Sequence, residues 1–137
     1  MEILTYKSIS ELATIGDAWD RLSELEPRFV PSFSELLYEL EASESEFRAL
    51  VAVDQSQVVG IACFVYRNAI KPYFVAELKL FRLPIKEVSL FGSCVLGQDE
   101  YIIEMILRPI INDSAFNLLD LGYIIIDSPL YNVVTLV

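Results

Sequence analysis

Two glycines and a cysteine lie in the stretch VSLFGSCVLGQDEYIIEMIL, which covers residues 88–107. The pattern predicts a buried strand, then a loop that contains Gly92 and Gly97, then a helix. Unpaired amides in such a loop and the positive end of the helix dipole together favour a bound anion such as a phosphate. The candidate binding residues are therefore Gly92, Ser93, Cys94 and Gly97, and the alternative is a tight turn without a ligand.

The charges around this loop favour a tight turn without a ligand over a phosphate site. Asp99 and Glu100 fall where the helix is predicted to begin, and no Lys or Arg lies between Lys86 and Arg108. Two carboxylates within about 5 Å of a pyrophosphate would each oppose its binding by roughly 1 kcal/mol or more, even with screening. The acidic pair also satisfies the helix dipole that a phosphate would otherwise use.

Proton transfer or nucleophilic attack would need other side chains. The chain contains no histidine, so it cannot form a Ser-His-Asp or Cys-His triad, and the commonest zinc ligand is missing. Glu77 or Glu104 could act as a general base, and Tyr123 and Tyr131 could act as proton donors. Such residues are more commonly solvated carboxylates and packing tyrosines. Cys94 has no neighbouring His or Lys to stabilise a thiolate, so it is a weak candidate nucleophile, and no metal site is expected.

Composition limits the class of protein. The chain has 137 residues, of which 54% are hydrophobic, so it can form one domain with a substantial core. Twenty acidic residues against ten basic ones give a formal charge of −10, which disfavours nucleic-acid binding. No apolar run reaches the roughly 20 residues of a membrane span. Two cysteines without a signal peptide favour reduced thiols, and we expect a soluble, cytoplasmic protein.

Hydrophobic periodicity predicts the elements of the amino-terminal half. A strand over residues 2–6 is followed by helices over 11–27 and 30–43, and Trp19 is predicted to anchor the first helix in the core. A β-hairpin over 46–67 comes next, because two segments rich in β-branched residues flank the polar turn DQSQ.

The carboxy-terminal half is predicted to add strands and one helix. Gly60 suggests a bulge or a close backbone approach in the second hairpin strand. Extended segments are predicted over 73–83, 87–92 and 121–127, and Pro84 and Gly92 are expected to end the first two of them. A helix is predicted over 99–113, and Pro109 should kink or end it. The predicted order, β-α-α-β-β-(β)-β-α-β, indicates an α/β fold with a mixed, mainly antiparallel sheet flanked by helices in three layers.

The last seven residues, YNVVTLV, are apolar except for Asn132 and Thr135. An unpaired edge strand of this composition would be an aggregation hazard. We therefore expect that the chain is a fragment that is incomplete at its carboxyl end, or that its last segment pairs with a second copy or another partner.

The predicted order resembles the first two-thirds of the GNAT superfamily of N-acyltransferases. Two segments, AWDRLSELEPRFVPSFSELLYELEAS and FRALVAVDQSQVVGIACFVYR, resemble the opening half of double-GNAT proteins. These proteins include the cellulose-biosynthesis-type acetyltransferases and, more distantly, the peptidoglycan bridge-forming aminoacyltransferases. A third segment, FNLLDLGYIIIDSPLYNVV, resembles the strand and following segment after the central helix of that family.

The resemblance implies that residues 1–137 form one GNAT-like domain, the amino-terminal half of an acyltransferase-type protein that moves an acyl group from acyl-CoA to an amine. In that family, an Arg/Gln-x-x-Gly-x-Gly/Ala loop holds the CoA pyrophosphate, and residues 92–100 keep two glycines but not this spacing. This half is thus expected to be non-catalytic and to support substrate binding beside a second GNAT-like half or a homodimer partner. Two alternatives stay open: a complete small acetyl-CoA-dependent N-acetyltransferase, and a non-enzymatic module that dimerises through its apolar carboxy-terminal edge.

Overall fold

The computed structural model describes residues 1–26, 30–113, 115–122, 124 and 129–136. Within these residues the backbone forms one five-stranded open sheet with the order β1-β2-β3-β4-β5. The strands are β1 (Glu2–Tyr6), β2 (Glu46–Asp54), β3 (Gln57–Val75), β4 (Leu78–Gly97) and β5 (Leu118–Asp120). Neighbours from β1 to β4 are antiparallel, whereas β5 pairs parallel to β4.

Helices lie between β1 and β2, between β4 and β5, and after β5. They are α1 (Ile9–Leu12), a short 3-10 helix (Ala13–Ile15), α2 (Gly16–Ser23), α3 (Phe33–Ser43), α4 (Glu100–Ile111) and α5 (Pro129–Leu136). Ser8 and Ser32 cap α1 and α3, since their side chains accept the amides of Glu11 and Glu35. In the described part of the chain, no helix is both long enough and apolar enough to cross a membrane.

Two hydrophobic clusters lie on opposite faces of the sheet, which makes three layers. Successive side chains of a strand point to opposite faces, so Ala49 and Val51 of β2 join one cluster while Leu50 and Ala52 join the other. The first cluster packs the sheet against α1, α2 and α3, and the second packs it against α4 and α5. The predicted α/β class with a mixed, mainly antiparallel sheet between helices is confirmed.

The predictions for the amino-terminal half are confirmed in outline. The first strand covers residues 2–6 as expected, and the β2–β3 turn lies at Gln55 and Ser56. Trp19 is fully buried, and its indole N–H donates to the carbonyl of Pro31 at 3.0 Å, so it anchors the core. The expected first helix is broken into α1, the 3-10 turn and α2.

Gly60 lies at both a bulge and a close approach. The pairing of β2 with β3 shifts by one residue there, so that Val59 and Gly60 both oppose Ala52. A Cβ atom on Gly60 would lie 2.5 Å from Cγ2 of Ile102 and 2.6 Å from Cδ1 of Ile106, both on α4. Only glycine lets α4 pack this closely on β3.

The predicted breaks at Pro84 and Gly92 are wrong. The segments 73–83 and 87–92 belong to one continuous hairpin, in which β4 runs from Leu78 to Gly97 and turns back from β3 at Ala76 and Glu77. The pairing of β2 with β3 stops at Tyr66. Residues 67–86 therefore extend as a two-stranded ribbon, here called the hairpin arm.

The carboxy-terminal segment also differs from the expectation. The strand in this region, β5, covers Leu118–Asp120, before the predicted range 121–127, and residues 123 and 125–127 of that range lie outside the described residues. The last segment is the helix α5, which buries Leu130 and Val133 in the second cluster. The expected apolar edge strand is therefore wrong, because these side chains are covered by α4 and the sheet.

Candidate functional site

The connection from β4 to α4 is short. Gly97 ends β4 and α4 begins at Glu100, so only Gln98 and Asp99 lie between the two elements. The amide of Gln98 is used, since it donates to the carbonyl of Val59 at 3.1 Å. Instead of the predicted loop over residues 92–97, β4 has a bulge: residues 92–95 lie opposite Ala62 without register partners, and pairing with β3 resumes at Leu96 and Gly97. We call residues 97–100 the helix start.

Carboxylates occupy the position that an anion would take at the helix start. Asp99 is the N-cap of α4, and its Oδ1 accepts the amide N–H of Ile102 at 3.0 Å. Glu100 accepts a hydrogen bond from the Asn132 side chain of α5 at 2.6 Å. The predicted placement of both acidic residues at the amino end of this helix is confirmed. A pyrophosphate here would have to displace the cap and approach two negative charges, so these residues do not fit one.

The predicted binding residues lie in the strand rather than in a loop. Gly92, Ser93 and Cys94 are part of β4, and their side chains lie outside the described residues. At Gly97, a Cβ atom would lie 2.9 Å from Cγ1 of Ile103, which gives this glycine a packing role beneath α4.

The predicted catalytic residues are dispersed. Glu77 lies at the tip of the hairpin arm, and β3 runs about 30 Å beyond Tyr66 to reach it. Tyr131 lies in α5 next to the residue that contacts the helix start, whereas Tyr123 lies outside the described residues. Glu104 forms an exposed ion pair with Arg108 at 2.5 Å. The structure therefore does not bring Glu77 to the end of the sheet where Tyr131 and Gly97 lie.

A cavity of about 280 Å³ opens where the hairpin arm leaves the sheet. It lies beside Lys86 and Glu87 of β4, whereas the helix start lies at the other end of the part of β4 within the sheet. We call it the arm-base cavity; its lining includes Glu46, Arg48, Tyr66, Lys86, Glu87 and Phe116. Pairing places Glu46 opposite Tyr66, and Tyr66 opposite Val88. Because strand side chains alternate, Arg48, Tyr66 and Lys86 share the face that carries α4 and α5.

Basic residues are concentrated at this cavity although the protein is acidic. Arg48, Arg67 and Lys86 line it together with the carboxylates of Glu46 and Glu87. Arg67 and Glu87 face each other across β3 and β4, with Nε of Arg67 4.0 Å from Oε2 of Glu87. In the part of the chain that the structure describes, no carboxylate lies within ion-pair distance of the Lys86 ammonium group.

Arg48 and Tyr66 are stacked in the cavity wall. The guanidinium carbon of Arg48 lies 4.5 Å from the centre of the Tyr66 ring, a cation–π distance. Among the described residues, neither Nε of Arg48 nor the hydroxyl of Tyr66 has a hydrogen-bond partner, although both atoms are buried. Burial raises the pKa of Tyr66 above 10.0, with the carboxylates of Asp113 and Glu46 adding to the rise and Arg48 opposing it. Tyr66 therefore keeps its proton and remains a hydrogen-bond donor at neutral pH.

The backbone around Lys86 is fixed by the segment before β5. The amide of Lys86 donates to the side-chain oxygen of Asn117 at 3.1 Å, and the amide of Asn117 donates to the carbonyl of Lys86 at 2.8 Å. This reciprocal pair holds the loop after α4 against β4, so that Phe116 can line the cavity.

The sequence predictions missed every residue of this cavity. A usable signal existed: Arg48, Arg67 and Lys86 interrupt strands that are otherwise apolar in a chain with only ten basic residues. These residues come together only through the pairing register of β2, β3 and β4. Phe116, in the loop after α4, completes the lining of the cavity.

Comparisons with known proteins do not assign a family. No protein-family model matches the chain, and neither a curated protein nor a solved structure matches it.

Proposed function

We propose that the chain is a GNAT-like domain, the amino-terminal half of an acyltransferase-type protein. In this proposal it supports substrate binding, and acyl transfer from acyl-CoA to an amine takes place on a second half. One observation carries the non-catalytic role: Asp99 and Glu100 place carboxylates at the helix start, where the resemblance would put the CoA pyrophosphate.

The order of elements supports the GNAT-like part of the proposal. The family order is strand, two helices, a three-stranded antiparallel meander, helix, strand, and then a final helix and two strands. The described elements follow this order from β1 through the β2–β4 meander to α4, β5 and α5, with the 3-10 turn linking α1 to α2 as one broken first helix. The parallel pairing of β5 with β4 requires the crossover that α4 provides.

A thermal-shift titration with acetyl-CoA tests the non-catalytic role. We expect no stabilisation, whereas a ligand at a hundredfold excess over its dissociation constant would stabilise the fold by about 2.7 kcal/mol. The same titration on Lys86→Gln separates binding at the helix start from binding of the CoA phosphates at the arm-base cavity. Stabilisation that persists in Lys86→Gln would contradict the proposal.

The double variant Asp99→Ser/Glu100→Gln provides the matched comparison. Serine keeps a capping oxygen and glutamine keeps an acceptor for Asn132, so the fold should persist while two charges are removed. If this variant gains affinity for pyrophosphate, the carboxylates are what excludes the anion from the helix start. Tight pyrophosphate binding that persists in Lys86→Gln, in which the arm-base cavity is weakened, would contradict that account.

The half-domain part of the proposal has its own test, which is the coding region after Val137. We expect a second α/β half that carries an Arg/Gln-x-x-Gly-x-Gly turn. A different kind of domain there, together with acetyl-CoA turnover by this chain on a panel of amines, would favour the complete small acetyltransferase instead.

A further inference from the structure

We propose that the arm-base cavity binds a small oxyanion, a carboxylate or a phosphate, through Arg48, Tyr66 and Lys86. This site lies away from the helix start and does not depend on the proposed GNAT relationship. The inference rests on three observations: unsatisfied donors, the pairing of the nearby carboxylates, and the size of the cavity.

The unsatisfied hydrogen-bonding groups in the cavity are donors. Nε of Arg48 and the hydroxyl of Tyr66 are buried without partners among the described residues, whereas Lys86 is exposed and its ammonium group has no ion pair in that part of the chain. A buried donor without a partner is unfavourable, and native proteins rarely retain one without a reason. Three donors that line one cavity match the lone pairs of an oxyanion, and guanidinium and ammonium groups add charge complementarity.

The carboxylates around the cavity already have partners. Glu46 lies 3.7 Å from the guanidinium of Arg48, and Glu87 accepts the hydroxyl of Ser89 at 3.3 Å beside Arg67. Asp113 accepts the amide of Ala115 at 2.9 Å. These contacts compensate the negative charges in place, so the hydrogen-bonding capacity that remains for a ligand is that of donors rather than of carboxylates.

The size of the cavity limits the ligand. Its volume of about 280 Å³ is just below the range of roughly 300 to 1,000 Å³ that is usual for ligand pockets. The volume suits inorganic phosphate or a short organic acid and is small for a nucleotide. Phe116 and the ring of Tyr66 add apolar wall on which a short carbon chain can pack.

Calorimetric titrations of the full chain with phosphate, acetate and succinate, at one ionic strength set with sodium chloride, test the proposal. We expect saturable binding of at least one probe, and the comparison of phosphate with the two carboxylates identifies the preferred oxyanion. Lys86→Gln should weaken the affinity about tenfold, and Tyr66→Phe about threefold to tenfold. Arg21→Gln, on α2 at the other face of the sheet, removes the same charge beside Val58, eight residues along β3 from Tyr66, and should leave the affinity unchanged.

Tyr66→Phe also distinguishes a binding role from a structural one. Because the hydroxyl has no partner within the described chain, its removal should leave the unliganded fold at least as stable while the oxyanion binds more weakly. Loss of stability in Tyr66→Phe would assign the hydroxyl to folding and overturn its binding role. The whole proposal is overturned if no probe binds, or if Lys86→Gln and Tyr66→Phe bind as well as the unmodified chain.

Discussion

The part of β4 that lies in the five-stranded sheet has the helix start at one end and the arm-base cavity at the other. These two regions differ in charge and in packing. At the helix start, a glycine beneath α4 and a capped helix leave two carboxylates where an anion would dock. At the arm-base cavity, Arg48, Tyr66 and Lys86 lie on one face of the sheet beside an open volume, and Nε of Arg48 and the hydroxyl of Tyr66 are buried without partners among the described residues. The comparison teaches that a glycine-containing stretch before a helix does not by itself make a phosphate site. The charges that the fold gathers around it decide what can bind.

The largest effect is expected from breaking the close packing under α4. Gly60→Ala should lower the free energy of unfolding by about 1–3 kcal/mol, because the new methyl group would overlap Ile102 and Ile106. Chemical denaturation measures the loss. Gly122→Ala is the contrast: its φ of +67° makes alanine unfavourable, yet nothing lies within 4 Å of the new Cβ atom. Equal stability of Gly60→Ala and the unmodified chain would show that α4 does not rest on β3 at this distance.

The next effect concerns the cap of α4. Asp99→Ala should lower the free energy of unfolding by about 1 kcal/mol, because the amide of Ile102 loses its acceptor. Asp99→Ser should recover most of this loss, since its hydroxyl can accept the same amide. If Asp99→Ala is as stable as the unmodified chain, the carboxylate does not cap the helix, and the argument against an anion there loses its basis.

The arm-base cavity should respond to pH rather than to packing. The raised pKa of Tyr66 means that the folded state holds its proton more tightly than the unfolded state does. This contribution is complete below the ordinary value of 10.0 and is lost as pH rises through the folded pKa. The stability of the unmodified chain should therefore fall above about pH 10 more steeply than that of Tyr66→Phe. Parallel pH profiles of the two proteins would contradict the buried placement of the hydroxyl.

The smallest effect is expected on the exposed face of α4. Glu104→Gln removes the ion pair with Arg108 and should change the free energy of unfolding by no more than about 0.5 kcal/mol. High salt should reduce this difference further. A loss of 2 kcal/mol or more, well above the ~0–1 kcal/mol usual for exposed pairs, would indicate that Glu104 has a role that its exposure does not suggest.

The sequence predicted the elements that are governed by local chemistry. The strand over residues 2–6, the acidic residues Asp99 and Glu100 at the start of α4, and the irregularity at Gly60 all follow from residue type and spacing. Trp19 was correctly placed in the core because its neighbours repeat at helical spacing.

The hairpin arm could not be predicted from proline positions. Pro84 suggested a strand end because proline cannot donate to a sheet ladder. In the arm, however, each strand has only one neighbour, so Pro72 and Pro84 are tolerated as they are on edge strands. The number of neighbours depends on where β2 and β5 stop pairing, and sequence periodicity does not reveal that.

The end of the chain and the cavity depend on tertiary contacts. The apolar residues of α5 are compatible with a strand or a helix, and packing on α4 selects the helix. Residues of β2, β3, β4 and the segment after α4 line the cavity. Its charged residues are therefore far from one another in sequence, and no local pattern shows that they come together.

A phosphate titration followed by backbone amide NMR tests the central claim most directly, because it reports on both ends of β4 in one experiment. We expect saturable shifts for the amides of Arg48, Tyr66 and Lys86 with phosphate or, in a parallel titration, with succinate, and shifts near zero for Gly97 to Ile103 with both. The opposite pattern, with the helix start responding and the arm-base cavity silent, would contradict it.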